Sequence, residues 1–436
     1  MSVDANACTV RVAREDPAAA EAQNKSYAAA LKKNHTAFSL MKAPNCAVVA
    51  VEDILRGHIK GFFLLPVGRA QLGEIVADIP ADWVEALRAG QAGLILDHST
   101  DGHVLSNNEQ LKMTIWHQQL KALGIPPSRL VYVTQNRNFQ DTYNLWCEQT
   151  GVEDRISIVN YDYFLSWFCR RSWPDPAAAL TKKVRHFENR NRIKKRFVCL
   201  NHKPRFWRIA LLTRLIKDNY WDDGFISFGG LELEVTTVEE PTAKFGSSEV
   251  EKFRKRRLAT GSEAYLEALA GKGRVLFGKT PGGEEAGKRE VRRTCDTSTY
   301  LYRRSAFTLV TETNMRPNAD RITEKSLKPM ANCHPAILFA NYGALSLLRS
   351  LGFKTFEPWI DEGYDAIEDP ETRFLAAYEA FRQFYKTAWD RVREDRELRD
   401  VLLYNAEHAM IGLPRLYDET LDPKLCREIA SVLEDT

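Results

Sequence analysis

The chain has 436 residues, 44% apolar and 27% charged, with a formal net charge of +3. That is enough for two or three domains with cores of their own. A charge so near balance gives no general case for a nucleic-acid protein, although local basic clusters can still bind anions.

Eight cysteines are present, with no CxxC pair and no Cys/His spacing of the zinc type. Several lie in apolar runs, as Cys199 does in "FVCL", and read as small core residues of a protein from a reducing compartment. The opening "MSVDANACTVRVARED" lacks the apolar stretch of a signal peptide. No apolar run approaches the roughly 20 residues of a membrane span. A cytoplasmic protein with no membrane span is expected.

In chain order, residues 1–45 are polar and alanine-rich and show no clear element. Cys46–Asp53 and Gly57–Val67 read as strands with their flanks, and Pro80–Gly90 as a helix that stops at glycine. Ala92–His103 reads as a buried strand entering a polar loop, Ser106–Ile125 as an amphipathic helix, and Arg129–Asn136 as a strand with a polar exit. A helix over "DTYNLWCEQTG" and a strand in "RISIVNYDYF" follow. Trp116, Tyr132, Trp146 and Trp167 fall at element positions and read first as core packing, then as ligand-stacking surfaces. Strands alternating with helices predict a parallel sheet covered on both faces, with ligands at the carboxyl ends of its strands. The polar ends "DHSTDG" and "TQNRN" are where such a ligand is expected.

Thr181–Phe197 holds eight Lys or Arg in seventeen residues. It reads as a solvated linker or surface helix, with a nucleic-acid or acidic-substrate patch as the alternative. A second alternating stretch then begins: strand Phe197–Leu200, polar loop Asn201–Arg205, helix Phe206–Leu215 and strand Gly224–Leu233. From about 234 to 300 the pattern weakens into an insertion that carries "KFRKRR" (252–257) and a glycine-rich loop (278–288). Gly273–Thr280 formally fits GxxxxGK[ST]. Its middle residues Arg274 to Phe277 look like a strand, and Pro281, Gly282 and Gly283 stand where a helix should begin, so a phosphate loop is not expected. Alternation returns with strand Ser305–Thr313, a helix capped by Thr323, strand His334–Ala340, helix Gly343–Gly352 and a short edge strand Phe353–Phe356. Asp369 caps a long amphipathic helix ending near Asp395, and the tail reads as helical.

The turn "TEK" (323–325) is the most informative. A helix N-terminus carries unpaired N–H groups and about half a positive charge, and so attracts phosphate. Lys325 is locally out of place there unless an anion is bound, and Glu324 is suited to accept from ribose hydroxyls. "LNHKPRFWR" offers a second cationic turn, where Lys203, Arg205 and Arg208 crowd a strand-to-helix junction after Asn201. Two such turns at neighbouring strand ends could clamp a nucleoside diphosphate. Charges at strand ends are more often simply solvated, and the two turns together say more than either alone.

"LVTETNMRPNADRITEKSLKPMANCHPAILFANYGALSLLRSLGFKTF" resembles GT-B glycosyltransferase-like proteins of phages, giant viruses and bacteria. Its "TEK" helix followed by an "HP" strand is similar to the donor domain of alpha-1,3-fucosyltransferases, as is "CLNHKPRFWRIALL". With "DEGYD" (361–365), the resemblance covers roughly 196–220 and 305–385. It implies an α/β protein of two Rossmann-like domains with parallel sheets facing across a cleft, plus C-terminal helices. The expected division is an acceptor domain over 1–190, a donor domain over 191–365 with the insertion at about 234–300, and helices over 366–436 that pack back across both. By the resemblance, Glu324 binds the ribose, Lys325 the diphosphate, and either Arg208 or Arg205 also neutralises it. Glu312 faces the same ligand and is a candidate for touching the donor sugar. Asn201, Lys203 and Thr323 complete the expected donor set.

Glycosyl transfer needs a stabilised leaving diphosphate, a base for the acceptor hydroxyl, and exclusion of water. Enzymes resembling this fold use cationic side chains and helix ends in place of a metal. The sequence shows no DxD motif at a strand end and no metal-type cluster, so a metal-independent reaction is expected, with a nucleotide-diphosphate sugar as substrate and no other cofactor. Asp101 and Asp97 are the candidate bases, with His98 and His103 nearby. The acceptor is a glycan or a modified DNA base. Two further readings stay open: a nucleic-acid-binding protein using 181–197 and 252–257, and a catalytically silent interaction module.

Overall fold

The computed structural model describes residues 10–14, 46–66, 79–99, 107–188, 193–235, 243–245, 247–255, 263–273, 275, 299–313, 315–316 and 318–434. They form two compact units, each an α/β assembly around a parallel sheet. Unit 1 comprises Met1–Trp167, Asn318–Arg321 and Pro414–Thr436, and unit 2 comprises Phe168–Pro317 and Ile322–Leu413. The sequence-based division at 190 thus differs from the compact units, because the Pro176–Glu188 helix groups with unit 2.

Unit 1 contains β1 (Val10–Arg14), β2 (Cys46–Ala50), β3 (Gly61–Pro66), β4 (Ala92–His98), β5 (Leu130–Thr134) and β6 (Ser157–Asn160), all parallel, in the order β2-β1-β3-β4-β5-β6. Every residue of β4 and β5 is buried, as continuous apolar runs in the middle of a two-sided sheet require. Trp83, on helix Ala81–Arg88, stacks on Phe63 of β3 with ring centroids 4.3 Å apart. β1 lies in a stretch where the sequence showed no element. Val51–Leu55 forms a short helix directly after β2, so the expected strand ends at Ala50. The final helix, Asp422–Glu434, packs against β4, β5 and β6.

Unit 2 contains β7 (Lys195–Leu200), β8 (Gly224–Ser227), β11 (Ser305–Thr311) and β12 (Ala336–Phe339), parallel, in the order β12-β11-β7-β8. Between them the insertion supplies a small antiparallel pair, β9 (Leu233–Val235) and β10 (Ala243–Phe245), and helices Ser247–Arg254 and Glu263–Gly271. Val275 pairs with the backbone of Phe228. At that position the GxxxxGK[ST] match is extended chain, while most of the motif and the loop 278–288 lie outside the described residues. The long helix Pro370–Glu394 is capped by Asp369, which accepts from Thr372 N–H at 2.7 Å. Its Phe374, Phe381 and Phe384 are buried, and Phe381 and Phe384 meet Phe307 of β11.

One expected element is corrected. "FKTF" (353–356) is not an edge strand. The Lys354 backbone is bound on both sides by one side chain: its N–H donates to Asn405 Oδ1 at 2.9 Å, and Asn405 Nδ2 donates to its carbonyl at 2.7 Å. A buried amide from the helix Arg396–Glu407 takes the place of a neighbouring strand.

Candidate functional site

The carboxyl ends of β7, β8 and β11 are stitched together by Asn201. Its N–H donates to Ser227 Oγ at 3.0 Å, its Nδ2 to Cys199 Sγ at 3.2 Å, and its Oδ1 accepts from the Thr311 hydroxyl. Gly229 N–H donates to the His202 carbonyl at 2.9 Å. A Cβ at Gly229 would stand 2.4 Å from that oxygen, so only glycine lets the two loops close together.

β11 runs into Glu312, a buried carboxylate that organises the next helix, Glu324–Ala331. Glu312 accepts from Thr323 N–H at 2.9 Å, Thr323 Oγ1 at 2.8 Å and Ser326 Oγ at 2.7 Å. Burial pushes its pKa up, but the Lys325 charge and these hydrogen bonds outweigh burial and hold the carboxyl below its usual range. Thr323 is the N-cap, as expected, and its hydroxyl also receives Lys325 Nζ at 3.0 Å. Lys325 Nζ lies 3.3 Å from Glu324 Oε1, and the Glu324 side chain is buried. The first turn thus holds a fixed lysine and a buried carboxylate at the positive end of a helix.

Arg208 stands in the first turn of helix Phe206–Lys217 and is only 5% exposed. Its Nη1 donates to the Lys203 carbonyl at 3.1 Å, and its Nε has no hydrogen-bond partner among the described residues. Burial first, then the Arg205 charge beside it, lower its pKa to about 10, against the opposing pull of Glu312, Cys199 and Glu324. Arg205, Glu312 and Glu324 are therefore within electrostatic reach of Arg208, and Lys325 is within reach of Glu312, at one edge of the sheet. One feature of this turn was invisible in the sequence. The Phe206 N–H is not open, because it donates to Glu249 Oε2 of the insertion helix at 2.8 Å.

In unit 1, Asp97 closes its own turn, its Oδ1 accepting from Ser99 N–H at 3.1 Å and Ser99 Oγ at 2.7 Å. His98 Nδ1 is 2.6 Å from Tyr132 Oη, and the ring is buried. Asp101 and His103 lie outside the described residues. Sequence reasoning missed Asp162, two residues past β6 in "NYDYF". It accepts from Gln135 Nε2 at 2.8 Å and from Leu165 N–H at 3.2 Å. Burial raises its pKa to about 7, although those bonds and the charges of Arg137 and Arg321 pull it down. Its only sequence signal is a carboxylate just beyond a strand's carboxyl end.

Several described residues of the basic segments are engaged within the protein, while Lys182, Arg185 and Lys194 are exposed. Lys183 is turned inward, and Arg196 lies over the Tyr385 ring at 4.7 Å and donates to the Tyr385 carbonyl at 3.0 Å. Lys252, Arg254 and Lys255 pair with Glu249, Glu263 and Glu251. Arg256 and Arg257 lie outside the described residues. Among the described residues no cluster of His, Cys, Asp or Glu could hold a metal ion, and no helix is long and apolar enough to cross a membrane.

No family model matches the chain, and no curated protein matches it. Similar solved structures include an alpha,alpha-trehalose 6-phosphate synthase from Burkholderia multivorans, at 12% identity and a TM-score of 0.42, covering 86% of this chain and 72% of that one. A UDP-forming alpha,alpha-trehalose-phosphate synthase from Burkholderia vietnamiensis is similar at 11% identity and 0.42, with 86% and 72% covered. The N-terminal domain of a Candida albicans trehalose-6-phosphate phosphatase follows at 14% and 0.43, with 86% and 70% covered. Likeness this distant assigns neither fold nor function by itself.

Proposed function

We propose that the carboxyl edge of the unit 2 sheet binds the diphosphate of a nucleotide sugar, and that the chain is a glycosyltransferase. The observation that carries this is Arg208: a guanidinium buried at a strand-to-helix turn, with an unpartnered Nε and a second arginine beside it. A buried cation left without a full set of partners is costly unless an anion completes it. A pyrophosphate does so, and it also draws on Lys325 and the helix end at Glu324.

In this reading Arg208, Arg205 and Lys325 neutralise the leaving diphosphate, and Glu324 accepts from the ribose hydroxyls. Lys203 belongs to the same turn as Arg205 and Arg208. Glu312, with its acceptor sites engaged by Thr323 and Ser326, is a positioning residue that sets the first turn of the helix. Asn201 positions the loop that carries Lys203 and Arg205. The base for the acceptor hydroxyl is sought in unit 1, where Asp101 and Asp97 are the candidates from the sequence and Asp162 is a further one. The reaction proceeds without a metal, and the fucosyltransferase-like donor domain, the GT-B arrangement and an acceptor glycan or modified DNA base belong to the same proposal. The nucleic-acid reading is less favoured, since Lys183 is turned inward and Lys252, Arg254 and Lys255 are in ion pairs.

The test is a panel of UDP, GDP, CDP and ADP in thermal unfolding and calorimetric titration. One nucleotide should raise Tm and bind, and Lys325→Ala should abolish both. No response to any of the four in the folded protein overturns the proposal.

A further inference from the structure

Unit 2 also has a hollow at the opposite, amino end of the same strands. Ile193 precedes β7, Ser305 opens β11, and Cys333 and His334 precede β12, and all of them line it. β11 is seven residues long, so at about 3.3 Å per residue the hollow lies roughly 20 Å from the carboxyl edge. Its volume of about 30 Å³ exceeds the roughly 10–15 Å³ that one water needs. It has room for a compact group.

Two cationic side chains, Lys183 and Arg303, line this hollow, and no carboxylate stands among the described residues that line it. Lys183 is 7% exposed. Its ammonium has one hydrogen bond, to Asn332 Oδ1, which leaves two of its three donors for an occupant. Burial pulls its pKa down to about 7; the Cys333 thiol opposes that, and Lys182 and Arg303 add to it. His334 brings no charge of opposite sign, since its Nε2 meets the Tyr302 carbonyl and its Nδ1 the Thr308 hydroxyl at 3.1 Å. The lip of the hollow is strained. Cys333 has φ 54, at the first position beyond the Asn332 cap, where glycine is usual and other residues cost about 1–2 kcal/mol. Cys333 is among the residues that line the hollow.

We propose that this hollow is a second ligand site, taking a small oxyanion of the phosphate or carboxylate class held by Lys183 and Arg303. An anion receives the two open donors of the buried Lys183 ammonium. Bound anion and protonated Lys183 favour each other, so binding weakens as pH rises through neutrality.

Inorganic phosphate is the probe, titrated against chloride at fixed ionic strength while Tm and binding are read. The titration is run in the full chain and in Arg208→Met, which disables the carboxyl edge for phosphate. Phosphate should raise Tm in both, and acetate, whose charge is the same at pH 6 and pH 8, should do so less at pH 8. Lys183→Met, which keeps the apolar stem, should weaken binding by about tenfold or more. If that variant does not fold, Arg303→Gln is the second test, with the same expectation. A phosphate effect confined to proteins with Arg208 intact overturns the proposal. So does a Lys183→Met variant that responds to phosphate as the parent does, which would leave Lys183 as a tie to Asn332 alone. Acetate in place of phosphate separates the two sources of oxyanion.

Discussion

Replacing Arg208 by methionine separates a ligand-binding arginine from a structural one. The fall in its pKa from the usual 12.5 to about 10 corresponds, at about 1.4 kcal/mol per tenfold, to about 3 kcal/mol by which burial and Arg205 disfavour the charged form. A base whose pKa is lowered on folding carries that cost in full at every pH below the folded value, so it is present throughout the neutral range. Methionine removes it and forfeits the bond to the Lys203 carbonyl, about 1 kcal/mol. About 2 kcal/mol of net stabilisation remains, or about 4–8 °C in Tm for a domain of this size. Thermal unfolding of Arg208→Met without ligand should therefore show a higher Tm, while the shift given by the preferred nucleoside diphosphate disappears. A variant that is less stable than the parent and still responds to nucleotide would refute the reasoning, because it would make Arg208 a satisfied structural residue.

Lys325→Ala takes the ammonium away from the buried Glu324 and Glu312 carboxylates and so should lower the unliganded Tm, and it should remove nucleotide binding in calorimetry of the folded variant. Glu312→Ala leaves the Thr323 N–H and the Thr323 and Ser326 hydroxyls without their acceptor and should cost about 3 kcal/mol, read by denaturant unfolding. Because the Glu312 carboxyl is held below its ordinary 4.5, its contribution is complete above that pH and fades as acid titrates it; Glu312→Gln should flatten the acid limb of a stability profile. Asp162 has the opposite sign: with its pKa raised from 3.8 to about 7, it costs stability increasingly between those values, so Asp162→Asn should raise Tm at pH 8 and leave it unchanged at pH 4. Sugar transfer, once a donor is identified, should persist in EDTA.

The strand–helix alternation and the buried runs of β4, β5 and β11 are local patterns, written in apolar spacing, and they were readable without coordinates. So was the Thr323 cap, because Thr-Glu-Lys before an apolar period satisfies helix-end donors by short-range geometry. What tertiary structure decided was partnership. Sequence cannot say that Glu312 spends its oxygens on a helix eleven residues away, or that Glu249 reaches across to the Phe206 N–H. It cannot say that Lys183 turns inward while Arg196 lies on Tyr385. "FKTF" looked like a strand for the same reason: its backbone partner is a side-chain amide about 50 residues further along. Local spacing determines which elements form, whereas the cost of burying charge and amide groups, settled only by what packs around them, determines which residues are left with donors for a ligand.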